Sequence, residues 1–155
     1  MFREMRLKEQ QLSEKESIEI IKNATHATLA INGADKYPYS VPISHIYSEG
    51  KIYFHGATSG QKFDLLTRDP HVSISVIAFD DVQPAKFTTF YKSVIAYGDV
   101  RQLKTPEEIK APMRLIIKRF CPGMEEAGIT FLNSQLGNFY VYEMDIKHMT
   151  GKQSE

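Results

Sequence analysis

Cysteine, tryptophan and net charge are scarce or absent in this sequence. Its 155 residues include one cysteine and no tryptophan, and 19 basic residues balance 19 acidic ones. Cys121 on its own cannot form an internal disulfide, and there is no CxxC pair to bind zinc. Without an excess of positive charge, neither nucleic acid nor a membrane surface is an expected partner.

Long apolar stretches are also missing. No run of about 18 apolar residues exists, which argues against a membrane-spanning helix. The start, MFREMRLKEQQLSEKE, lacks the apolar stretch of a signal peptide, so we expect a cytoplasmic protein. Apolar residues still make up 42% of the chain, with nine Phe and eight Tyr. This content is enough for a core, and we expect a single folded domain over residues 1–155.

Capping and turn signals divide the chain into strands that outnumber the helices. Ser13 with Glu16 predicts one helix start, and Thr58 with Gln61 predicts another. Thr105, followed by proline and glutamate, predicts a third helix that runs to about residue 120. Six strand-like runs cover residues 27–31, 37–47, 51–57, 71–79, 91–103 and 138–146. Because regular β-α-β alternation is missing, the pattern favours a mainly β, antiparallel barrel with peripheral helices.

The sequence contains little evidence of a metal site or of a catalytic nucleophile. The five histidines are His26, His45, His55, His71 and His148. None lies two to four residues from another, so ordinary hydrogen-bonded histidines are favoured over a metal site, although folding could still assemble one. The sequence contains no GxSxG, GxGxxG or Walker motif, and Cys121 has no local partner.

One segment, FHGATSGQK at residues 54–62, has the composition of a phosphate-binding loop. A strand ends here and a helix begins, and a helix N-terminus offers unpaired N–H groups and the positive end of its dipole. Gly56 and Gly60 allow close approach of an anion to the backbone. Hydrogen-bond donors and a full charge come from Thr58, Ser59, Gln61 and Lys62. The alternative is that these residues serve only the turn.

Two further segments could complete a ligand site. Residues 39–44, YSVPIS, form a strand whose Pro42 has no ladder donor, so a planar ligand could take backbone hydrogen bonds there. Residues 86–93, KFTTFYKS, combine aromatic, hydroxyl and lysine side chains before a strong strand. Alternatively, residues 39–44 are an ordinary core strand and residues 86–93 are a solvated loop.

These segments together resemble a known family. The sequences YPYSVPIS, GKIYFHGATSGQKFDLLTRDPHVSISV, KFTTFYKSVIAYGDVRQL and DIKHMTGK resemble the FMN-binding split-barrel flavoproteins. That superfamily includes pyridoxamine 5′-phosphate oxidase, and the similarity is greatest to the branch of the 5-nitroimidazole resistance proteins. The resemblance extends over nearly the whole chain, in the same order and spacing.

The resemblance implies a six-stranded antiparallel split β-barrel that works as a homodimer with two FMN sites at the subunit interface. It places the flavin ring along Ser40, Val41, Pro42 and Ile43, continued by His55, Gly56 and Ala57. It places the phosphate at Gly60, Gln61 and Lys62, and it brings Ser93 to the flavin from the other subunit. FAD or the deazaflavin F420 remain alternatives to FMN.

The sequence departs from the family pattern at two places. Many members carry His or Arg where Gln61 stands, so phosphate affinity should depend more heavily on Lys62. The chain also lacks the C-terminal Trp and Arg of the pyridoxamine phosphate oxidases, because after Ile146 it reads KHMTGKQSE. The vitamin B6 reaction is therefore not expected.

Three functions follow from this reading. The first is an FMN-dependent oxidoreductase that reduces a small-molecule electrophile such as a nitroaromatic or a quinone. In this case His55 is a weak candidate for an acid–base residue, with simple packing or hydrogen bonding to the flavin as the alternative. The second is a flavin- or haem-binding storage or sensor protein without turnover. The third is an interaction domain that has lost its ligand.

Overall fold

The computed structural model describes residues 1–155, which form seven strands and four α-helices. The helices are α1 (Glu14–Asn23), α2 (Gln61–Arg68), α3 (Pro106–Phe120) and α4 (Glu125–Gln135). The strands are β1 (Ala27–Ile31), β2 (Tyr39–Ile43), β3 (Ile46–Ser48), β4 (Lys51–Ala57), β5 (His71–Gln83), β6 (Thr88–Leu103) and β7 (Phe139–Ser154). None of the helices has the length and apolar character needed to cross a membrane.

All seven strands belong to one antiparallel sheet in the order β2-β1-β5-β6-β7-β4-β3. The two outermost strands, β2 and β3, are consecutive in the chain and are joined only by Ser44 and His45. A link this short spans about 10 Å at most, so the sheet must curl until its edges lie together. No hydrogen-bonded β-ladder joins the edge strands β2 and β3, so the barrel is open between them. This arrangement confirms the predicted split barrel.

The predicted strand over residues 37–47 is wrong as a single element. It divides at Ser44 and His45 into β2 and β3, which raises the strand count from six to seven. His45 is fully buried, and its Nε2 lies 2.8 Å from the main-chain oxygen of Ile21 at the end of α1. Burial of this side chain against α1 turns the chain from one edge of the sheet to the other.

Two apolar clusters hold the fold together. The first fills the barrel, where strand residues such as Leu29, Ile74 and Phe54 pack with Ile21 of α1 and Leu65 of α2. The second lies between the helices α3 and α4 and the outer face of β4, β6 and β7, and consists of Leu103, Ile109, Met113, Ile116, Ile117, Leu132 and Val141. The barrel therefore has one helical layer outside and a filled interior.

Two of the three predicted helix caps are confirmed. Ser13 accepts a hydrogen bond from the N–H of Glu16 while the Glu16 carboxylate accepts one from the N–H of Ser13, and Thr105 with Glu108 repeats the arrangement. The predicted cap by Thr58 is wrong. Helix α2 begins after Gly60, whose φ of 112° suits glycine, and no side chain caps it.

The long hairpin of β5 and β6 extends well beyond β1 on one side and by three residues, 88–90, beyond β7 on the other. β1 pairs only with residues 72–75 of β5, whereas the hairpin ladder continues to Gln83 and Thr88. The β6–β7 ladder shifts register between Tyr97 and Gly98, where Lys147 of β7 is the extra residue of a β-bulge. β7 is longer than predicted and runs to Ser154, so its last residues pair with the start of β6.

Candidate functional site

The end of β4, a short loop and the start of α2 form the turn that the sequence predicts to bind an anion. No capping side chain accepts a hydrogen bond from the first N–H groups of α2, from Gln61 onward. Such groups carry the positive end of the helix dipole and attract anions. The absence of a side-chain cap leaves these donors available to a ligand.

Lys62 lies directly over Gly56 at this turn. A β-carbon at position 56 would stand 3.1 Å from Cε and 3.2 Å from Nζ of Lys62, so an alanine there would require the end of the lysine side chain to shift by a few tenths of an ångström. Lys62 is half-buried, and burial lowers its pKa from the ordinary lysine value. It takes part in none of the ion pairs of the structure. An uncompensated, partly desolvated cation beside free N–H groups is suited to bind an anionic ligand.

Tyr142, which the sequence analysis did not single out, borders the same glycine. Its Cε2 lies 3.9 Å from the position of that β-carbon, and its ring stacks on Phe54 with centroids 5.2 Å apart. The residue is 3% exposed, and its hydroxyl has no hydrogen-bond partner. Burial, with a smaller effect from Tyr140, raises the pKa of Tyr142 to about 12. Unpaired buried hydroxyls are uncommon and point to a partner that is not part of the chain.

His55 faces away from this cluster. Neighbouring residues of a strand point to opposite faces, so His55 lies on the outer face of β4 while Gly56 faces the barrel. Its ring meets Phe139 edge-on at 6.3 Å. Partial desolvation of the ring, followed by the charge of Lys62, lowers the pKa of His55 below its ordinary value. Ala57 ends β4 and is exposed.

The residues of β2 divide between the two faces of the sheet. Val41 and Ile43 pack against the barrel core, whereas the side chains of Ser40 and Pro42 are exposed. β2 is an edge strand, so one side of its backbone has no neighbouring strand. Pro42 is tolerated here for that reason, and the free edge is available for backbone contacts to a ligand.

Ser93 lies apart from the other predicted site residues. It stands on β6 opposite Ile77 of β5 and Lys152 of β7, on the outer face of the sheet. The structure therefore brings residues 55–62 together in one turn. The apolar side chains of β2 pack into the barrel core. The structure does not bring Ser93 to this turn within one chain.

Other clusters offer little for catalysis. Asp69 and His71 form a pair at 2.7 Å, and Asp69 also accepts a hydrogen bond from Asn32. These contacts lower the pKa of Asp69 to about 2. No three His, Cys, Asp or Glu side chains are placed together so that they could hold a metal ion.

The fold and the turn at residues 55–62 define the class of protein. It is a split antiparallel barrel in which the N-terminus of helix α2 is suited to bind an anion. The family model for pyridoxamine 5′-phosphate oxidase matches residues 13–153, and the chain belongs to this family. No curated protein sequence matches it.

Solved structures of low sequence identity share the fold. A protein from Bacteroides thetaiotaomicron ascribed to 5-nitroimidazole antibiotic resistance has a TM-score of 0.75 at 19% identity, over 94% of this chain and 90% of that one. A FAD-binding protein from Mesorhizobium loti gives 0.65 at 20%, over 94% and 98%. A FAD- and haem-binding protein from Mycobacterium smegmatis gives 0.79 at 20%, over 94% and 74%.

Proposed function

We propose that the chain binds a flavin, specifically FMN, with the phosphate held at Gly60, Gln61 and Lys62. The observation that carries this proposal is the placement of Lys62 over Gly56, beside helix N–H groups that no side chain caps. A terminal phosphate monoester presents three acceptor oxygens and up to two negative charges, which suits this set of donors. FMN ends in such a group, and this favours it over FAD.

The residues around the turn fit a flavin in other respects as well. Tyr142 has a buried hydroxyl without a partner, and Phe63 stacks on Tyr140 with centroids 5.1 Å apart. Tyr140 and Tyr142 lie on the barrel face of β7, where Tyr140 is opposite Gly56, and the free backbone edge of β2 offers hydrogen-bonding groups to a planar ring. Flavin-binding proteins occur among the structural relatives, which adds support.

We further propose that the protein is an oxidoreductase for a small electrophile such as a nitroaromatic or a quinone. A bound flavin would supply the electron or hydride transfer, and the chain would supply binding and orientation. His55 lies on the opposite face of β4 from Gly56, so no proton-transfer role at this site is assigned to it. The structural relative ascribed to 5-nitroimidazole resistance favours a nitro compound as substrate.

A homodimer is part of the proposal. Large apolar side chains are exposed along the β5–β6 hairpin, with Ile77 67%, Val82 64% and Phe87 98% exposed. Only the tip of this hairpin, residues 81–90, lacks a third strand, and exposed apolar side chains of this size are typical of a protein–protein interface. A second copy that covers this hairpin would also bring Ser93 to the flavin of its partner.

The test is titration of flavin-free protein with FMN, followed by flavin fluorescence. We expect saturable binding at low-micromolar concentration or tighter. Reduction by NADH or NADPH with sustained turnover of a nitroaromatic or quinone would support the oxidoreductase, whereas binding without turnover would favour storage or sensing. No saturable change at tens of micromolar FMN would overturn the cofactor assignment.

A further inference from the structure

A cavity of about 260 Å³ lies on the outer face of the sheet, apart from the anion-binding turn. Its lining comes from β1, β5, β6, the loop after β1 and the N-terminal segment, and it includes no residue of the turn at 55–62. Along β5 and β6 the buried core residues alternate with His71, Tyr97 and Asp99, so these three side chains lie on the outer face. They line the cavity at the end of the two strands that is opposite the hairpin tip.

Two aromatic rings form the apolar part of this cavity. The ring of Phe2 lies 5.3 Å from that of Tyr97, centroid to centroid, and it stacks on His148 with centroids 5.0 Å apart. Contact with these two rings holds the N-terminal segment on the sheet. Phe2 is 46% exposed and Tyr97 is 38% exposed, so part of each ring stays open to a ligand. Open aromatic rings in a concave site are suited to a flat apolar group and to a cation.

The polar groups of the cavity are mostly hydrogen-bond acceptors. Nδ1 of His71 lies 2.7 Å from Oδ1 of Asp69, a carboxylate that the hydrogen bond from Asn32 and those from His71 hold at a pKa of about 2. An ionised carboxylate only accepts, so Nδ1 carries the proton, and Nε2 of the neutral imidazole is then an acceptor. Asn32 donates its amide N–H to the same carboxylate, which leaves its side-chain oxygen as an acceptor too.

Asp99 gives the cavity a negative charge that no cation balances. It lies opposite His71 in the β5–β6 ladder and opposite Asp145 in the β6–β7 ladder, and it forms no ion pair. The lysines of this region, Lys51 and Lys147, contact Asp145 instead. No lysine or arginine lines the cavity, and no three His, Cys, Asp or Glu side chains converge to hold a metal ion. The missing partner of Asp99 is therefore an organic cation rather than a metal.

We propose that this cavity is a second ligand site, which binds a small primary amine with a flat apolar body. The ammonium group donates to the carboxylate of Asp99 and to Nε2 of His71, and the body lies against the rings of Phe2 and Tyr97. A primary ammonium has three donors and no acceptor, which matches a lining of acceptors. An anionic ligand would meet the charge of Asp99 without a lysine or arginine to offset it. The inference does not depend on flavin binding.

The first measurement is a calorimetric titration of the native protein with phenethylamine at neutral pH. We expect saturable binding with a Kd of about 1 mM or tighter, which is within reach of a ligand of this size. Phenethyl alcohol has the same shape without the charge and should bind at least about tenfold more weakly. Phenylpropionate, an anion of similar size, should not bind. No saturable binding of the amine, or equal binding of the amine and the alcohol, would overturn the inference.

Single variants then locate the bound amine. Asp99→Asn should weaken phenethylamine binding about tenfold or more, because it removes a charge-assisted hydrogen bond. Tyr97→Leu should weaken it about two- to fivefold, through loss of a cation–π contact. Asp80→Asn, at an exposed position of β5 outside the cavity, is the matched control and should leave the affinity unchanged. Urea denaturation of each variant checks the fold. Unchanged amine affinity in Asp99→Asn, or an equal loss in Asp80→Asn, would overturn the inference.

Discussion

The ammonium nitrogen of Lys62 lies so close to Gly56 that a β-carbon at position 56 would stand 3.2 Å from it. We therefore expect Gly56→Ala to displace the end of the Lys62 side chain and to weaken FMN binding by about tenfold. Because Lys62 is flexible at this end, the free energy of unfolding should change by less than about 1 kcal/mol. Fluorescence titration and urea denaturation measure the two effects separately.

Gly128→Ala is the matched contrast to Gly56→Ala. A β-carbon on Gly128 would meet Cγ2 of Ile117 at 2.6 Å, between helices α3 and α4 in the second apolar cluster. This variant should lose stability, by about 1–3 kcal/mol, and keep its FMN affinity. If both glycine variants lost stability and affinity in parallel, the role of Gly56 would be structural only.

Lys62→Ala should weaken FMN binding by about 10- to 150-fold, the equivalent of about 1.5–3 kcal/mol for a charge-assisted hydrogen bond. Riboflavin has no phosphate and should lose much less affinity. Lys110→Ala removes an exposed lysine of α3 and serves as the control. Equal losses for the two flavins would show that Lys62 acts through folding rather than through the phosphate.

The sequence predicted those features of the fold that depend on residues close together in the chain. The helix starts at Ser13 and Thr105 are set by side chains three residues apart, and both are confirmed. The predicted cap at Thr58 failed because Gly60, in a left-handed conformation, ends the loop two residues later. A local sequence pattern does not show after which of several turn residues the helix begins.

Features set by distant contacts were not predicted. The break between β2 and β3 depends on burial of His45 against the carbonyl of Ile21, which lies 24 residues earlier. The unpaired hydroxyl of Tyr142 depends on the pairing of β7 with β4, which places that ring against Phe54. Strand alternation alone indicates that Tyr140 and Tyr142 share a face, but not that one hydroxyl lacks a partner.

Tyr142→Phe should stabilise the flavin-free protein or leave its stability unchanged. The variant removes a buried hydroxyl without a hydrogen-bond partner, and such a group costs about 1–3 kcal/mol in the folded state. Urea denaturation of the apo-protein measures the change, and Tyr53→Phe, which removes a hydroxyl bonded to Glu143, should destabilise instead. A clear loss of stability in Tyr142→Phe would mean that its hydroxyl has a partner in the apo-protein.

Acidification should destabilise the fold through His45. Burial is the main cause that lowers the pKa of His45, with smaller effects from Arg119 and His26, while the hydrogen bond to Ile21 opposes the shift. Below about pH 6.5 the unfolded chain binds a proton at this histidine, whereas the folded chain binds it only at a lower pH. The free energy of unfolding therefore decreases as the pH is lowered. The fall ends once the pH drops below the folded-state pKa.

His45→Gln isolates this contribution. Glutamine can still donate to the carbonyl of Ile21 but does not titrate, so the variant should show a smaller loss of stability between pH 7 and pH 5 than the native chain. His26→Gln, at an exposed position, measures the smaller contribution of that neighbouring charge. Identical pH profiles for the native protein and His45→Gln would contradict the assignment.

The last prediction concerns the exposed hairpin. Ile77 and Phe131 are each 67% exposed, one on β5 and the other on α4. If the β5–β6 hairpin is the dimer interface, Ile77→Glu should dissociate the dimer, whereas Phe131→Glu should not alter the assembly. Because an interfacial ligand links binding to association, FMN should strengthen the native dimer and dilution should release FMN. Sedimentation followed at the flavin absorbance measures both, and a flavin-loaded species near the monomer mass of 17.7 kDa would rule out an interfacial site.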